Sequence, residues 1–442
     1  MVLIDNLFVV LLYRLDVEIR KQDPKPKSKY QIDLESGIDN PDESPTNVKS
    51  WTDFNRSYFH PRSINQVPLF TNMASGESDF TFDSFELGVQ SYKEYESEYS
   101  TIDESLRRFV EECDMFQGFN VNTDISDSWS GFSTCYMDEL KDQYPKSNFI
   151  TITHEYDYLK DRRIQYKSKG FIDPLENVKK MNELLSLWKL EQVSDIIIPL
   201  ASPTQWNSQK NEWNIDFKDV NFDDNFYSSA LLNSQLDTIM MPLKYRRNRI
   251  SMADLSNHLN WRGGTKFSLL NGSITSDDTR ILDRRMNQNY SWIDNNDNIS
   301  EIIPFAQYEI VRNGNDNTHL PEMIDEVLDK DSKLKYPLLK RYHIEQHYNM
   351  PSSHPLMYSN DTNLNIYTKL ENSTKIREFI EYYGKLSESF DFRYGGQGSG
   401  MIRDDISEMT EFWWSLHANY NDDNQFEGLF DEDDGGDYEI DD

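Results

Sequence analysis

The spacing of apolar positions divides the middle of the chain into alternating short elements. "TIDESLRRFVEECDMF" (Thr101–Phe116) has a Thr/Asp start and apolar residues at i, i+3, i+4, which predicts an amphipathic helix. A short strand follows, then a turn, then a second helix in "GFSTCYMDELKDQYP" (Gly131–Pro145), ended by proline. "NFITITH" (Asn148–His154) is β-branched and short enough for a strand. "DPLENVKKMNELLSLWKLEQ" (Asp173–Gln192) predicts a third helix and "VSDIIIPL" (Val193–Leu200) a buried strand. Strands alternating with helices in this way argue for an α/β fold built on a parallel sheet.

The flanks read differently. "MVLIDNLFVVLLYRLDVEIRK" (Met1–Lys21) is apolar for about a dozen residues, interrupted by Asp5, and suits a buried strand better than a signal peptide. Residues 22–50 are rich in proline, charge and turn formers and read as an exposed loop. "FYSSALLNSQLDTIMMPLKYR" (Phe226–Arg246) predicts a long apolar helix and "SMADLSNHLN" (Ser251–Asn260) a shorter one. Residues 270–360 mix short strands with polar loops. Two late helices are expected in "STKIREFIEYYGKLSESF" (Ser373–Phe390) and "MIRDDISEMTEFWWSLHANY" (Met401–Tyr420).

Composition narrows the function classes. Among 442 residues the aromatic fraction is 13%, which suits a folded chain with a substantial core. The net charge of −32 disfavours a broad basic face for nucleic acid. Only "LKYRRNR" (Leu243–Arg249) is locally basic, and a solvated loop is the preferred reading. The last 22 residues, from Asn421, hold eleven Asp or Glu and no Lys or Arg; self-repulsion predicts a disordered tail, with partner binding as the less favoured role. There is no run of about 18 apolar residues to span a membrane. Cys113 and Cys135 fall in apolar-patterned segments and are read as reduced core residues.

Isolated motifs carry little. "HIEQH" would place His343 and His347 one helical turn apart, as a metal pair requires, but Ile344 stands where a zincin has glutamate, so an ordinary surface pair is favoured. "GGQGSG" (Gly395–Gly400) precedes a helix as phosphate loops do, yet lacks a following Lys and reads as a connector. Trp413 and Trp414 are expected as one buried and one half-buried aromatic.

Taken in order, these segments resemble the tubulin superfamily over residues 80–442. "CDMFQGF" (Cys113–Phe119) is similar to the segment that leads into tubulin's nucleotide loop, and "SGFSTCYMDELKDQYP" to the helix after it. Phe226–Arg246 resembles the central helix, "SMADLSNHLN" the Ala-Asp-Leu segment behind it, and "ENSTKIREFI" (Glu371–Ile380) the Asn-Ser-Thr segment. "WTDFNRSYFHPRSINQV" (Trp51–Val67) resembles the Trp-Ser/Thr-Asp-Phe and His-Pro-Arg-Ser element of the Misato family. The resemblance implies a nucleotide-binding-type domain over 1–226 with the exposed loop 22–50, a connecting helix over 227–249, a second α+β domain with C-terminal helices over 250–420, and the tail over 421–442. It also implies a strand before the present start, so either the chain is cut short or that strand is missing.

The departures bear on chemistry. Tubulin's phosphate loop is a run of glycines; the equivalent here is Ile125-Ser126-Asp127-Ser128-Trp129-Ser130-Gly131, in which Gly131 alone is clearly retained. Asp124 and Asp127 bring negative charge where phosphates would sit. At about 4 Å and an effective dielectric near 20, each such repulsion is worth about 4 kcal/mol. Trp129 is expected to fill much of the phosphate space, and a serine to cap the helix. The position matching tubulin's hydrolytic acid, give or take one residue, is Asn257, which cannot take a proton from water as a carboxylate does; Asp254 corresponds to the flanking Asp. The expectation is a non-catalytic protein without a cofactor, acting through cytoskeletal or mitochondrial protein partners. The resemblance implies a role in partitioning mitochondria and inheriting mitochondrial DNA, at the mitochondrion rather than in the cytoplasm. The alternatives are a residual GTP-binding GTPase or GTP-dependent polymer, and a chaperone-like binder of tubulin. Oligomeric state is not readable.

Overall fold

The structure, a computed structural model, describes residues 3–4, 29–36, 60–65, 67, 82–155, 174–201, 225–244, 250–275, 288–291, 302–314, 338–350, 357, 364–389 and 403–421. The basic residues of 245–249, the glycine-rich 395–400 and the tail from 422 onward lie outside them.

Three parallel strands, β3 (Gly118–Asp124), β4 (Asn148–His154) and β5 (Ile196–Leu200), form one sheet in chain order. Phe119 pairs with Phe149 and Ile150 with Ile196. Each crossover is a helix: α4 (Trp129–Gln143) between β3 and β4, and α5 (Pro174–Val193) between β4 and β5. Being β-branched and covered on both faces, β4 and β5 read as continuous apolar runs, as buried parallel strands do.

Residue parity decides what each face meets. Phe119, Phe149 and Ile197 enter one core with Phe132, Leu187, Tyr383 and Trp413. Ile150, Ile152, Ile196 and Ile198 enter the other with Leu231, Ile239, Ile310 and Ile366. Helix α2 (Phe85–Tyr99) lies on α4; a π-turn over Ile102–Leu106 then leads into α3 (Arg107–Glu111). The central helix α6 (Asn225–Lys244) and the short α7 (Met252–Leu259) fill the second core.

The second sheet is mixed, in the order β7 (Gln288–Asn289), β6 (Leu269–Thr275), β10 (Asn365–Ser373), β8 (Pro304–Asn313), β9 (Leu339–Glu345). All its pairings are antiparallel except β8 with β9. It joins the first sheet where Ile197 bridges Phe267. One face is apolar; the other carries Glu309 between Arg341, 3.1 Å away, and the Tyr367 hydroxyl at 3.0 Å. The helix pair α8 (Ile376–Ser389) and α9 (Arg403–Asn419) closes the first core. Trp413 is fully buried and Trp414 half-buried, as expected. The fully buried Tyr420 accepts a 2.9 Å hydrogen bond from the Phe267 amide, fixing the root of the acidic tail.

Three expectations need correction. The loop assigned to 22–50 contains a helix, α1 (Lys29–Glu35), because Tyr30 is completely buried and tertiary packing overrides the polar local sequence. The stretch around "HIEQH" is strand rather than helix, so His343 and His347 are not one helical turn apart. His343 pairs through Nε2 with Asn313 Oδ1 at 2.6 Å, and His347 Nδ1 lies 3.1 Å from Asn365 Oδ1. Cys113 sits just beyond α3 and is exposed, not a core residue. Of the opening apolar stretch, the described β1 (Leu3–Ile4) is two residues long and pairs in parallel with β2 (Ile64–Asn65).

Candidate functional site

In open α/β sheets ligands collect beyond the carboxyl ends of the strands, and the loop there after β3 is Ile125–Ser128. Its first amide is tied back to the sheet, Ile125 N–H donating to His154 O at 3.1 Å. Asp124 Oδ1 accepts from Ser126 N–H at 2.7 Å, a local Asx turn. Asp127 Oδ1 accepts from Trp129 N–H at 2.8 Å, and the Asp127 carbonyl accepts from Ser130 N–H at 3.1 Å. The Asp127 carboxyl therefore holds the first amide of α4, and Asp124 an amide of the loop ahead of it, near the helix start where an anion would otherwise be drawn by free N–H groups and the helix dipole.

Ser128 stands at the N-cap position but its side chain makes no cap bond; the acceptor for the first helical amide is Asp127. The Ser128 hydroxyl instead donates to Ser84 O at 2.7 Å, tying the loop to the residue ahead of α2. Ser126, Ser128 and Ser130 are completely buried. Trp129 is likewise a core residue, edge-on to Phe82 and Phe132 at 5.5 and 5.3 Å, so its bulk is taken up by packing between helices. On the strand side the Thr123 and Ser133 hydroxyls meet at 2.6 Å.

Gly131 has a packing reason of its own. A Cβ there would lie 1.9 Å from Phe85 O, and one on Gly88 would lie 1.8 Å from Ser128 O. The two glycines face each other where α2 crosses α4, and the backbones touch. The retained glycine is explained by this crossing without reference to a phosphate.

Asn182 on α5 completes the enclosure. Its Nδ2 donates to Asp83 O at 2.6 Å and Ser126 O at 2.9 Å, while its Oδ1 accepts from Phe85 N–H at 2.7 Å. One buried amide thus joins the loop, the start of α2 and α5. Neither Asn182 nor the neighbouring Lys179 and Glu183 was singled out from the sequence. The available signal was "VKKMNELL", in which polar residues recur on a helix that must bury both sides.

Electrostatics follow from this burial. Burial pushes the Asp124 carboxyl up to about 6, against the pull of the Ser126 bonds. Burial, with the Asp124 carboxyl adding to it, pushes Asp127 up to about 8. Burial also holds the His154 imidazole down at about 4. Among the described residues Lys179 is the cation acting on Asp124, and the Ser126 and Trp129 amides are engaged by the Asp124 and Asp127 carboxyls. Among the described residues no three His, Cys, Asp or Glu are placed to hold a metal ion.

The second expected position lies on α7. Asn257 is exposed. Asp254 makes a capping box with Ser251: Ser251 Oγ accepts from Asp254 N–H at 3.0 Å, and Asp254 Oδ2 accepts from Ser251 N–H at 3.2 Å. The bonds from Ser251 hold the Asp254 carboxyl below its usual range. The structure brings α7 to the strand carrying the loop through Gln117, whose Oε1 accepts from Met252 N–H at 2.9 Å.

The described part of the His-Pro-Arg-Ser element is a structural clip. His60 stands edge-on to Phe109 at 5.5 Å, Arg62 Nη1 donates to Glu104 O at 3.2 Å, and the Ser105 hydroxyl donates to Asn65 Oδ1 at 3.2 Å. It holds the π-turn and α3 in place ahead of β3.

Comparison with known proteins agrees with this architecture. Residues 40–245 match the tubulin domain family model. The chain is 26% identical over 347 residues to Protein DML1 of Gibberella zeae, covering 73% of this chain and 66% of that one. It is 26% identical over 234 residues to Protein dml1 of Aspergillus niger, covering 52% and 42%. It is 30% identical over 236 residues to Protein dml1 of Schizosaccharomyces pombe, covering 52% and 44%. The chain thus spans less than two thirds of the length of the curated relatives it matches. Among the described residues no helix is long and apolar enough to cross a membrane. With the parallel sheet, its crossover helices and the second mixed sheet, these matches show a tubulin-like α/β chain that is similar to the DML1 proteins.

Proposed function

We propose that this is a non-catalytic tubulin-like protein that acts in partitioning mitochondria and inheriting mitochondrial DNA, at the mitochondrion, through contacts with other proteins. The observation that carries the non-catalytic part is the engagement of the Ser126 and Trp129 amides by Asp124 and Asp127. A carboxyl already bonded to the helix start must be displaced before a phosphate can bind. Burial also works against bringing a phosphate's charge into that place. Asn257 at the other expected position supports the same reading. The organelle role rests on the Misato resemblance and the similarity to the DML1 proteins.

Conditional depletion tests the organelle role. Mitochondrial shape and mitochondrial DNA transmission are expected to fail while microtubules in the same cells stay normal. Earlier loss of microtubules would replace this reading with that of a tubulin-binding chaperone. The intact strand–loop–helix layout around Gly131 is what favours the second reading, a residual GTPase. Equilibrium titration of the purified chain with GTP and Mg²⁺ separates the two. No saturation at micromolar nucleotide is expected, and saturable micromolar binding would overturn the non-catalytic assignment.

A further inference from the structure

Among the described residues β9 is the outermost strand of the second sheet and pairs in parallel with β8 alone. The Gln307 N–H on β8 donates to the Leu338 carbonyl at 3.0 Å. Peptide groups alternate in direction along a strand, so those of Lys340, Tyr342 and Ile344 also turn toward β8, and those of Leu339, His343 and Glu345 turn outward. The two faces beside this edge differ. On the side of the second core, Ile344 is buried and the Tyr342 ring lies 5.6 Å from Tyr308. On the other side Arg341 meets Glu309 at 3.1 Å and His343 meets Asn313 at 2.6 Å. The strand carries Lys340, Arg341 and His343 against Glu345 alone, in a chain whose net charge is −32.

The C-terminal tail has the matching pattern. After Gly435-Gly436, the run Asp437-Tyr438-Glu439-Ile440-Asp441 alternates acidic and apolar residues with the period of a strand. Laid beside β9, it sets Tyr438 and Ile440 on the side of Tyr342 and Ile344, and its acids on the side of Arg341 and His343. The root of the tail is fixed close by. Arg262 Nη2 donates to the Asn421 carbonyl at 3.2 Å, and the Tyr420 ring lies 6.4 Å from Phe305 at the start of β8. Strand β9 begins beside Gln307, two residues further on. Seventeen residues lead from Asn421 to Tyr438, and a flexible chain of that length spans about 20 Å. Neighbouring strands lie about 5 Å apart, so the outer edge of β9 is within reach.

We propose that Asp437–Asp441 of the same chain docks as an added strand on the outer edge of β9. Main-chain hydrogen bonds to the outward peptide groups hold it, and the apolar and acidic faces of the segment fix which way it lies. Docking within one chain needs little intrinsic affinity, because the tether keeps the segment at an effective concentration of about millimolar. The tail also closes an edge that is otherwise open to pairing with other chains.

Hydrogen exchange of the full chain, read by NMR at the His343 and Glu345 amides, tests this. Both amides face away from β8 and exchange near their intrinsic rates when nothing covers the edge. With the tail docked, their exchange is expected to be about tenfold slower, and equally so at every protein concentration. The double substitution Tyr438→Ala/Ile440→Ala is expected to return them to intrinsic rates, and Glu439→Lys to recover part of that loss of protection. The Tyr342 and Ile344 amides, bonded to β8, must stay protected in both variants, which shows that the sheet itself is intact. Intrinsic rates in the unaltered chain would leave the tail merely solvated and overturn the docking. Slow exchange that survives the double substitution, or protection that grows with protein concentration as docking by a second copy requires, would overturn it equally.

Discussion

Two helix starts in this molecule each bond a backbone amide to an aspartate and set it in opposite surroundings. At the start of α4, Asp127 accepts the Trp129 amide inside the protein; at the start of α7, Asp254 accepts the Ser251 amide at the surface. Both carboxyls satisfy orphan donors. Burial pushes Asp127 up to about 8, whereas the Ser251 bonds pull the exposed Asp254 down. Solvation, not the hydrogen bond, separates them. The third helical position sharpens the contrast: it is Gly131 in α4, pressed against Phe85 O, and Asp254 itself in α7. The α4 start is fixed by backbone contact with α2. The α7 start is a self-contained cap on an open surface.

The largest break in this comparison is at the glycine. In Gly131→Ala the new Cβ meets backbone and not a movable side chain, so α2 and α4 must separate. Overpacking of this kind costs about 3 kcal/mol, to be read from the urea midpoint at unchanged slope. A loss below about 1 kcal/mol would show that the crossing relaxes easily and would reopen a phosphate-related reason for the glycine. Asp127→Ala comes next. It removes the cap and leaves the Trp129 amide buried without its acceptor, for about 2 kcal/mol.

Some of this contrast was legible in the chain and some was not. Asn148–His154 was read as a strand with the bounds it has, because β-branched residues between turn formers leave little choice. The two aspartates were recognised as hostile to phosphate, but their work on the loop's own amides depends on loop geometry that no spacing rule encodes. Trp129 was expected over the loop and lies in the core, since the path of Phe82–Phe85, which packs on it, is set by Asn182 nearly a hundred residues away. Only the helical placement of the histidine pair differs, because a helix and a strand offer i, i+4 histidines equally plainly. Its strand is decided by pairing with β8, a long-range fact.

The pH dependence of the two aspartates has opposite sign. Folded Asp127 keeps a proton that the unfolded chain loses above about 4. Stability therefore falls as pH rises from there to about 8 and is flat beyond. Asp254, depressed in the folded state, contributes stability above its unfolded value that disappears as pH drops through the folded one. Asp127→Asn keeps an acceptor for the Trp129 amide and removes the titration. Melting temperature across pH 5 to 9 should then decline less steeply than in the wild-type chain. An unaltered decline would place the titrating group elsewhere.

The α7 start gives smaller effects. Asp254→Ala should cost about 1 kcal/mol, the ordinary worth of a surface cap, with no change in slope above pH 5. Asn257→Asp is the smallest in stability and the most pointed in chemistry. Asn257 is exposed, so the substitution should stay within about 0.5 kcal/mol. It also restores a carboxylate at the position where the tubulin resemblance calls for one. If the α4 loop is closed by its own aspartates, a competent base at 257 has no bound phosphate to act on. Phosphate release from GTP should then stay at the buffer rate in Asn257→Asp. Hydrolysis gained from that single change would mean that Asp127 yields its amide to a phosphate and that α7 of a neighbouring copy completes the site.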